Sequence, residues 1–569
     1  MAQGLVAPGR NSKLEIRNSS RFSMFDFRIS GFQSRAFLPW AAAALSGLLL
    51  VACFPKIHLR GLVWVACLPL LAALAGEKRL KQAFLLGYVC GAFFFAGSCY
   101  WFVTVMEVYG RLAPALAVVV LILFVIVDST FFGGFGLAMG WAARRSSGWA
   151  LALSPFLWVA MELARTYLIT GFPWNLLGYA VQASGVRQIA SVTGVYGLSF
   201  LAVATSAVLA GVLLSPRRAR AGLALVGWLV LLLVAQWRLA PPPAAMGKEL
   251  AFLVQTNVPL DEAALDAWIP WRDPTQLQQL VQFSVDAVAI ENRKSKIENP
   301  TAIPPIANRQ SPIGNPPLLI WAENPAPFFF TRDPIFRNAM ENMARQTHTV
   351  VIANTIIPVD AEANTITNSA ITLDPEGREV SRYDKIHLVP FGEYVPGWAF
   401  PGWVHKITSE VGNFVPGSSY AVAKSPGGGI GVFICYEAII PQLAGKLVEN
   451  GAGVLVNISN DAWYGDSAAA YQHLEMARLR TIENHRYLLR ATNNGLTTLI
   501  DPYGRVLEEI PRYRRMVMPA HFDFETRQTF YSAHGDVFAW LCAVVAGLML
   551  LGASFELGKH DRQKAKGKW

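Results

Sequence analysis

Gly431-Val432-Phe433-Ile434-Cys435-Tyr436-Glu437 is an apolar strand that stops abruptly in polar residues. Its side chains do not alternate between apolar and polar, so the strand belongs in a sheet covered on both faces. Cys435 is the one cysteine between Arg238 and Asp536. The other five, Cys53, Cys67, Cys90, Cys99 and Cys542, lie in long apolar runs. A helix is expected from about Ala438, which puts Cys435 on an elbow between strand and helix. A nucleophile there is exposed, and the helix N-terminus favours negative charge beside it. The competing reading is a buried small hydrophobe, the commonest fate of a free cysteine.

Outward from this strand the pattern repeats. Residues 250–255, 318–321, 349–353, 454–458 and 497–500 read as strands. Residues 366–373 and 379–383, joined by Asp374-Pro375-Glu376-Gly377, read as a hairpin. Helices are expected around 334–347, 438–450 and 468–490. Two sheets with helices outside them is the economical architecture. Two more strands end in chemistry: Trp321-Ala322-Glu323 supplies a carboxylate and Tyr383-Asp384-Lys385 an ammonium. Taken singly, Glu323 could be a cap or ion-pair partner and Lys385 a solvated charge. Together with a thiol they suffice for acyl transfer, the acid moving protons and the lysine holding an oxyanion.

The rest of the chain is membrane-like. Of 569 residues 53% are hydrophobic and 15% charged, against ~25% charged in soluble domains. Mean hydropathy is +0.33. Apolar runs cover about 36–55, 61–75, 82–106, 112–141, 149–168, 188–214, 222–237 and 537–555. Several reach the ~20 residues that a spanning helix needs. If all eight cross, Lys78, Arg79, Lys81, Arg144, Arg145, Arg217, Arg218, Arg220 and both basic tails share one side. Lys56, Arg60, Arg111, Arg165 and Arg187 are the exceptions. The positive-inside rule then puts both termini in the cytoplasm and the strand-rich block outside it. That compartment is oxidising, yet the block has one thiol and cannot form an internal disulfide. The same topology accounts for the net charge of +10, so no nucleic-acid partner is expected.

The chain divides into a basic tail 1–35, in which Met24 offers an alternative start, and a membrane domain 36–240 of about seven spans. A catalytic domain 249–535, a last span 537–555 and a basic tail 556–569 follow. Pro241-Pro242-Pro243 is a stiff linker, and 291–316 reads as a polar, aperiodic, flexible insertion. His473, Glu475, Glu483 and His485 match no metal-ligand spacing and read as core or surface polar groups, so no metal or cofactor is expected. Asp128 lies inside a span; Glu162 and Arg165 lie one helical turn apart and read as a structural pair.

The three motifs, in the order Glu323, Lys385, Cys435, resemble the nitrilase (carbon–nitrogen hydrolase) superfamily over about 249–525. The resemblance implies an α/β nitrilase-like α-β-β-α sandwich, which the charge pattern makes extracytoplasmic. It makes Cys435 the nucleophile, Glu323 the general base and Lys385 the stabiliser of the transition state. Seven spans, that domain and one further span are similar to the apolipoprotein N-acyltransferase family nearly end to end. So are Gly171-Phe172-Pro173-Trp174, Val389-Pro390-Phe391-Gly392-Glu393-Tyr394 and Asn457-Ile458-Ser459-Asn460-Asp461-Ala462-Trp463-Tyr464-Gly465. The insertion and the long N-terminal tail depart from that pattern. The resemblance further implies Glu393 and Glu437 as essential acids and Tyr436 as donor of an oxyanion-hole N–H. Trp174 and Trp463 would be aromatic groups at the lipid entrance. It implies a phospholipid acyl donor, a diacylated apolipoprotein acceptor, a place in a bacterial inner membrane and no cofactor. The sequence is silent on oligomeric state, and a monomer is the working expectation. The rival readings are a membrane-tethered amidase, in which water replaces the amine, and a transporter with a ligand-binding outer domain.

Overall fold

The computed structural model describes residues 32–566 except 109, 111, 170, 261–265, 299–314, 325–327, 361–364, 391 and 395–412. The tail 1–31, most of the insertion and Phe391 thus lie outside the described residues.

The membrane part begins with α1 (Phe32–Ala52). The expected span 61–75 is not one helix. It is a 3-10 turn at Leu62–Trp64 and the seven-residue α2 (Leu68–Leu74). Pro69 sits in the first turn of α2 and bars a longer helix from running through it. Seven residues rise only about 10 Å. The expected span 82–106 is likewise two pieces, α3 (Leu80–Ser98) and α4 (Trp101–Val108). Then follow α5 (Pro114–Ala143), α6 (Ser147–Tyr167), the single turn α7 (Ser184–Arg187), α8 (Ala190–Leu214) and α9 (Arg218–Arg238). Among the described residues six helices are long and apolar enough to cross a membrane. They are Leu80–Ser98, Pro114–Ala143, Ser147–Tyr167, Ala190–Leu214, Ala219–Arg238 and Val537–Glu556. Packing between α3 and α5 depends on small residues. A Cβ on Gly87 would meet the Phe132 carbonyl at 2.1 Å, and one on Gly136 the Ala83 carbonyl at 2.2 Å. Such close backbone approach gives apolar helices a dispersion gain that lipid cannot match.

The strand-rich block is two six-stranded sheets. The first holds β1 (Glu249–Gln255), β2 (Leu318–Trp321), β3 (Val350–Asp360), β4 (Thr365–Leu373), β5 (Glu379–Asp384) and β12 (Met516–Phe522), in the order β12-β1-β2-β3-β4-β5. The second holds β6 (Val422–Ser425), β7 (Gly428–Ile434), β8 (Ala452–Ser459), β9 (Leu488–Thr492), β10 (Thr497–Ile500) and β11 (Val506–Ile510), in the order β11-β10-β9-β8-β7-β6. In each sheet the central strands run parallel (β1-β2-β3 and β7-β8-β9), so their C-terminal ends gather on one edge.

The sheets face each other. Leu253 and Ile320 of one share a core with Val432, Val456 and Leu489 of the other. The first sheet's outer face packs on α10 (Thr275–Glu298) and α11 (Pro334–Thr347) through Phe252, Leu319, Leu277 and Phe336. Residues 291–298, expected within the flexible insertion, are the end of α10. Outside the second sheet lie α12 (Pro441–Glu449) and α13 (Ala469–Asn484). The helix expected over 468–490 stops at Asn484, because His485 takes a left-handed conformation and the chain enters β9.

Helix α13 is also the wall shared with the membrane part. Its Ala469, Met476, Leu479 and Ile482 join the cluster that holds Tyr179, Val195 and Leu198. After α14 (Phe530–His534), α15 (Val537–Lys566) leaves the block as the last long helix.

The helix ends sort into two sets. Touching the block are the turn after α1 (Lys56 Nζ to Asp466, 3.2 Å), the end of α3 (Gln472 Nε2 to Ser98 O, 3.2 Å), the end of α6 (Tyr167 Oη to Asp536, 3.1 Å) and the first turns of α8 (Val195 N to Glu483, 3.0 Å). At the far end Arg144 donates to the Lys78 carbonyl at 3.2 Å and Arg145 pairs with Glu556 at 3.0 Å. Since α1 and α3 both end at the block, the short segment 62–74 carries the chain back between them. Three basic exceptions to the charge pattern have partners. Lys56 meets Asp466, Arg187 meets Glu475 at 3.3 Å, and Arg165 donates to the Trp174 carbonyl at 3.0 Å.

Candidate active site

Cys435, Glu323 and Lys385 each follow the C-terminal end of a strand, of β7, β2 and β5 respectively. Cys435 adopts φ +51°, a left-handed conformation that L-residues rarely hold. The strand must turn there into the helical turn Cys435–Ile439, and the residue at the corner carries the strain.

The corner is held by Glu437. Its Oε2 accepts from Ile434 N at 2.8 Å. Its Oε1 accepts from Tyr383 Oη at 2.8 Å, Ile386 N at 2.7 Å and His387 N at 3.0 Å. One buried carboxylate thus ties the residue before the nucleophile to the backbone after Lys385. Burial pushes its carboxyl up to about 7, against the pull of the Ile434 and His387 N–H groups and of Lys385. Its part in this geometry is to fix two of the three motifs in place.

Glu323 is buried among donors. Asn368 Nδ2 donates to its Oε1 at 2.9 Å and Asn460 N to its Oε2 at 2.9 Å. The Cys435 thiol lies near enough to act on its ionisation. Burial raises its carboxyl; Lys385 pulls it down and Glu393 pushes it up. Asn368 on β4 also donates from Nδ2 to Glu393 Oε1 at 3.0 Å. Its amide cannot be turned over, since its Oδ1 accepts from Asn354 Nδ2 at 2.8 Å.

Lys385, 1% exposed, donates to Glu393 Oε1 at 2.8 Å. Glu393 Oε2 accepts from Val389 N at 2.8 Å, which folds the 385–393 loop back on itself. Burial alone would lower the ammonium, but Glu393 and then Glu323 hold it well above its usual range, so it is a cation. Cys435 is 5% exposed. Burial, and then Glu323, raise its thiol well above the usual range, while Lys385 acts the other way. The resting thiol is therefore protonated, with Glu323 as the neighbouring carboxylate. Such a pair can pass its proton to the carboxylate as sulfur attacks a carbonyl.

The two tryptophans part company. Trp174 is 1% exposed, so it lies in the interior and not at an exposed rim. Its Nε1 donates to Gln472 Oε1 at 2.8 Å, and its ring stacks along His473 with centroids 5.8 Å apart. Trp101 and Tyr464 close the cluster, with centroids 5.2 Å apart. Trp463, by contrast, is 39% exposed. Glu162 and Arg165 serve the loop that carries Trp174. Glu162 Oε1 accepts from Leu177 N at 2.8 Å and Arg165 holds the Trp174 carbonyl.

Sequence reasoning missed Asn368, Asn354 and the buried trio Asp461, His473 and Arg490. The run Ser459-Asn460-Asp461 at the end of β8 carried a usable signal, since polar residues at a parallel strand's C-terminal end gather where ligands bind.

Comparison with known proteins agrees with this architecture. Residues 46–208 match the apolipoprotein N-acyltransferase N-terminal domain, and residues 316–531 match the carbon–nitrogen hydrolase domain. An apolipoprotein N-acyltransferase of Geobacter metallireducens is 35% identical over 523 residues, 90% of this chain and 94% of the relative. Those of Allorhizobium ampelinum and Methylococcus capsulatus are 32% and 31% identical, each over 85% of this chain and over 88% and 91% of their own length. The chain belongs to the apolipoprotein N-acyltransferase family.

Proposed function

We propose that this chain moves a fatty acyl chain from a membrane phospholipid, through a thioester on Cys435, to the α-amine of the diacylglyceryl-cysteine that begins an apolipoprotein. Sulfur attacks an ester carbonyl as Glu323 takes the thiol proton. Lys385 and the Tyr436 N–H hold the oxyanion. The intermediate collapses, Glu323 returns the proton to the departing alkoxide, and lysophospholipid leaves. In the second half the amine attacks the thioester, Glu323 takes a proton from the nitrogen, and the thiolate is released and reprotonated as the amide forms. Glu393 keeps Lys385 in place, and Glu437 holds the elbow.

The observation that carries this reading is the hydrogen-bonded set Glu323–Asn368–Glu393–Lys385 with the buried Cys435 close enough for Glu323 and Lys385 to act on its thiol, built beside a wall of membrane helices. Both substrates are lipids, so a site that opens at bilayer height spares them a passage through water. An apolar surround also keeps water from the thioester. The topology we infer is a multi-pass protein of a bacterial inner membrane, with about eight crossings, the catalytic domain extracytoplasmic and both termini cytoplasmic. It is supported by Lys78, Arg144 and Arg145 lying at the end far from the catalytic block.

The test is to incubate purified protein with phospholipid and a synthetic diacylated lipopeptide. The reading predicts N-acylated peptide and lysophospholipid in equal amounts. Release of free fatty acid without N-acylation would make the chain a hydrolase.

A further inference from the structure

His473, on α13, has no accessible surface. Its Nε2 lies 3.0 Å from the carbonyl oxygen of Cys435. That oxygen can only accept, so Nε2 carries a proton. Two groups meet the other ring nitrogen: Asp461 Oδ1 at 3.0 Å and Arg490 Nη2 at 3.1 Å. Arg490 Nη2 also bonds both Asp461 oxygens, at 3.0 and 2.8 Å. With Nε2 protonated, a neutral ring accepts from Arg490 at Nδ1, and Asp461 balances the guanidinium charge. Trp174 packed along the ring removes rotation. The imidazole thus has one orientation, with one N–H aimed at the elbow.

The consequence follows from peptide geometry. A trans peptide is planar, and its C=O and N–H point in opposite directions. An anchor on the Cys435 oxygen therefore sets the direction of the Tyr436 N–H on the other side. Donation to the oxygen also polarises the peptide and makes that N–H a stronger donor. The Cys435 backbone, at φ +51°, lies outside the strand and helix regions, so this anchor sits where regular structure gives way.

We propose that His473, held by Asp461 and Arg490, is a positioning residue for the oxyanion hole, aiming the Tyr436 N–H at the oxygen that becomes charged in both half-reactions. This rests on the reading of Cys435 as nucleophile and of the Tyr436 N–H as oxyanion donor.

Three variants of the full-length protein in detergent test it: His473→Gln, His473→Asn and His473→Leu. A glutamine amide can place an N–H near the site of Nε2, whereas asparagine stops one bond short of the carbonyl. Two rates are read. One is acylation of Cys435 by mixed micelles of phosphatidylethanolamine and phosphatidylglycerol, followed by intact-protein mass. The other is alkylation of Cys435 by iodoacetamide, a displacement that develops no oxyanion. Since loss of an oxyanion donor costs ~10²–10³-fold, H473N and H473L are expected to acylate about 10²-fold slower at saturating lipid. Half-saturation and alkylation should stay near wild type, and H473Q should recover most of the acylation rate. Equal acylation by all variants overturns the proposal, and so does a parallel fall of alkylation and acylation. Should H473L not fold, acylation by H473N as fast as by H473Q overturns it equally. A wild-type chain that gains no acyl group overturns the nucleophile reading and this proposal with it.

Discussion

Replacing Glu437 by glutamine keeps the shape of the side chain and removes one acceptor oxygen. Four donors converge on the native carboxylate, three on Oε1 and one on Oε2. The amide's best orientation keeps its oxygen where Oε1 was. Its NH2 then faces the Ile434 N–H, donor against donor. Losing a bond to a charged acceptor and stranding that N–H costs about 1.5–3 kcal/mol. The three surviving bonds become bonds to a neutral oxygen, each weaker by about 1 kcal/mol. Relief from burying a charge offsets part of this, leaving about 3 kcal/mol. At roughly 2 °C per kcal/mol for a domain of this size, melting should fall by about 6 °C. The rate should fall further than the stability suggests. The strained bond is one residue from the nucleophile, and a shift of ~1 Å at a reacting centre costs ~10²-fold. Melting by intrinsic fluorescence and single-turnover acylation of Cys435 measure the two effects on one preparation. A Glu437→Gln protein that melts within a degree of wild type and acylates within threefold would refute the clamp.

Two further outcomes follow from the geometry. Glu323 must be ionised to take the thiol proton, so the rate of Cys435 alkylation should rise with pH along an acid limb set by its raised carboxyl. Lys385 favours the ionised form, so Lys385→Met should move that limb to higher pH; an unmoved limb separates the two groups. Gly194 breaks α8 at φ +64°, and a Cβ there would meet the Tyr531 ring at 2.4 Å. Gly194→Ala combines left-handed strain of about 1–2 kcal/mol with overpacking of about 1–3 kcal/mol, and should lower the melting temperature by several degrees.

What could be read from the sequence was local. Cys435 and Glu323 each follow a continuous apolar run, and the end of a buried strand is visible without knowing its neighbours, whereas Lys385 follows the polar strand Glu379–Asp384 and stood out only through the Tyr383-Asp384-Lys385 motif. The two-sheet arrangement follows from the same runs. Asn368 could not be found this way, because its importance comes from β4 pairing beside β3 and from Asn354 fixing its amide. His473 was read as a core or surface polar group; it is buried, and its partners come from the turn after β8, from β9 and from the elbow, which only the fold unites. Periodicity ran the 468–490 helix on too far, because β9 is as apolar as the helix before it and only the left-handed His485 marks the break. Composition joined residues 61–75 into one span, whereas Pro69 limits the helix to seven residues. The resemblance put Trp174 at the lipid entrance, and its surroundings could not be read from the sequence: the indole is buried, bonded to Gln472 and stacked along His473.

The central claim is that the sulfur of Cys435 carries the acyl chain. Full-length protein mixed with phospholipid in the absence of an amine acceptor, quenched in acid and digested, tests it by mass spectrometry. The Cys435 peptide should be heavier by one fatty acyl group, which hydroxylamine releases and which disappears when the lipopeptide is added. An unmodified Cys435 peptide, or an acyl group on another residue that passes to the lipopeptide, would contradict it.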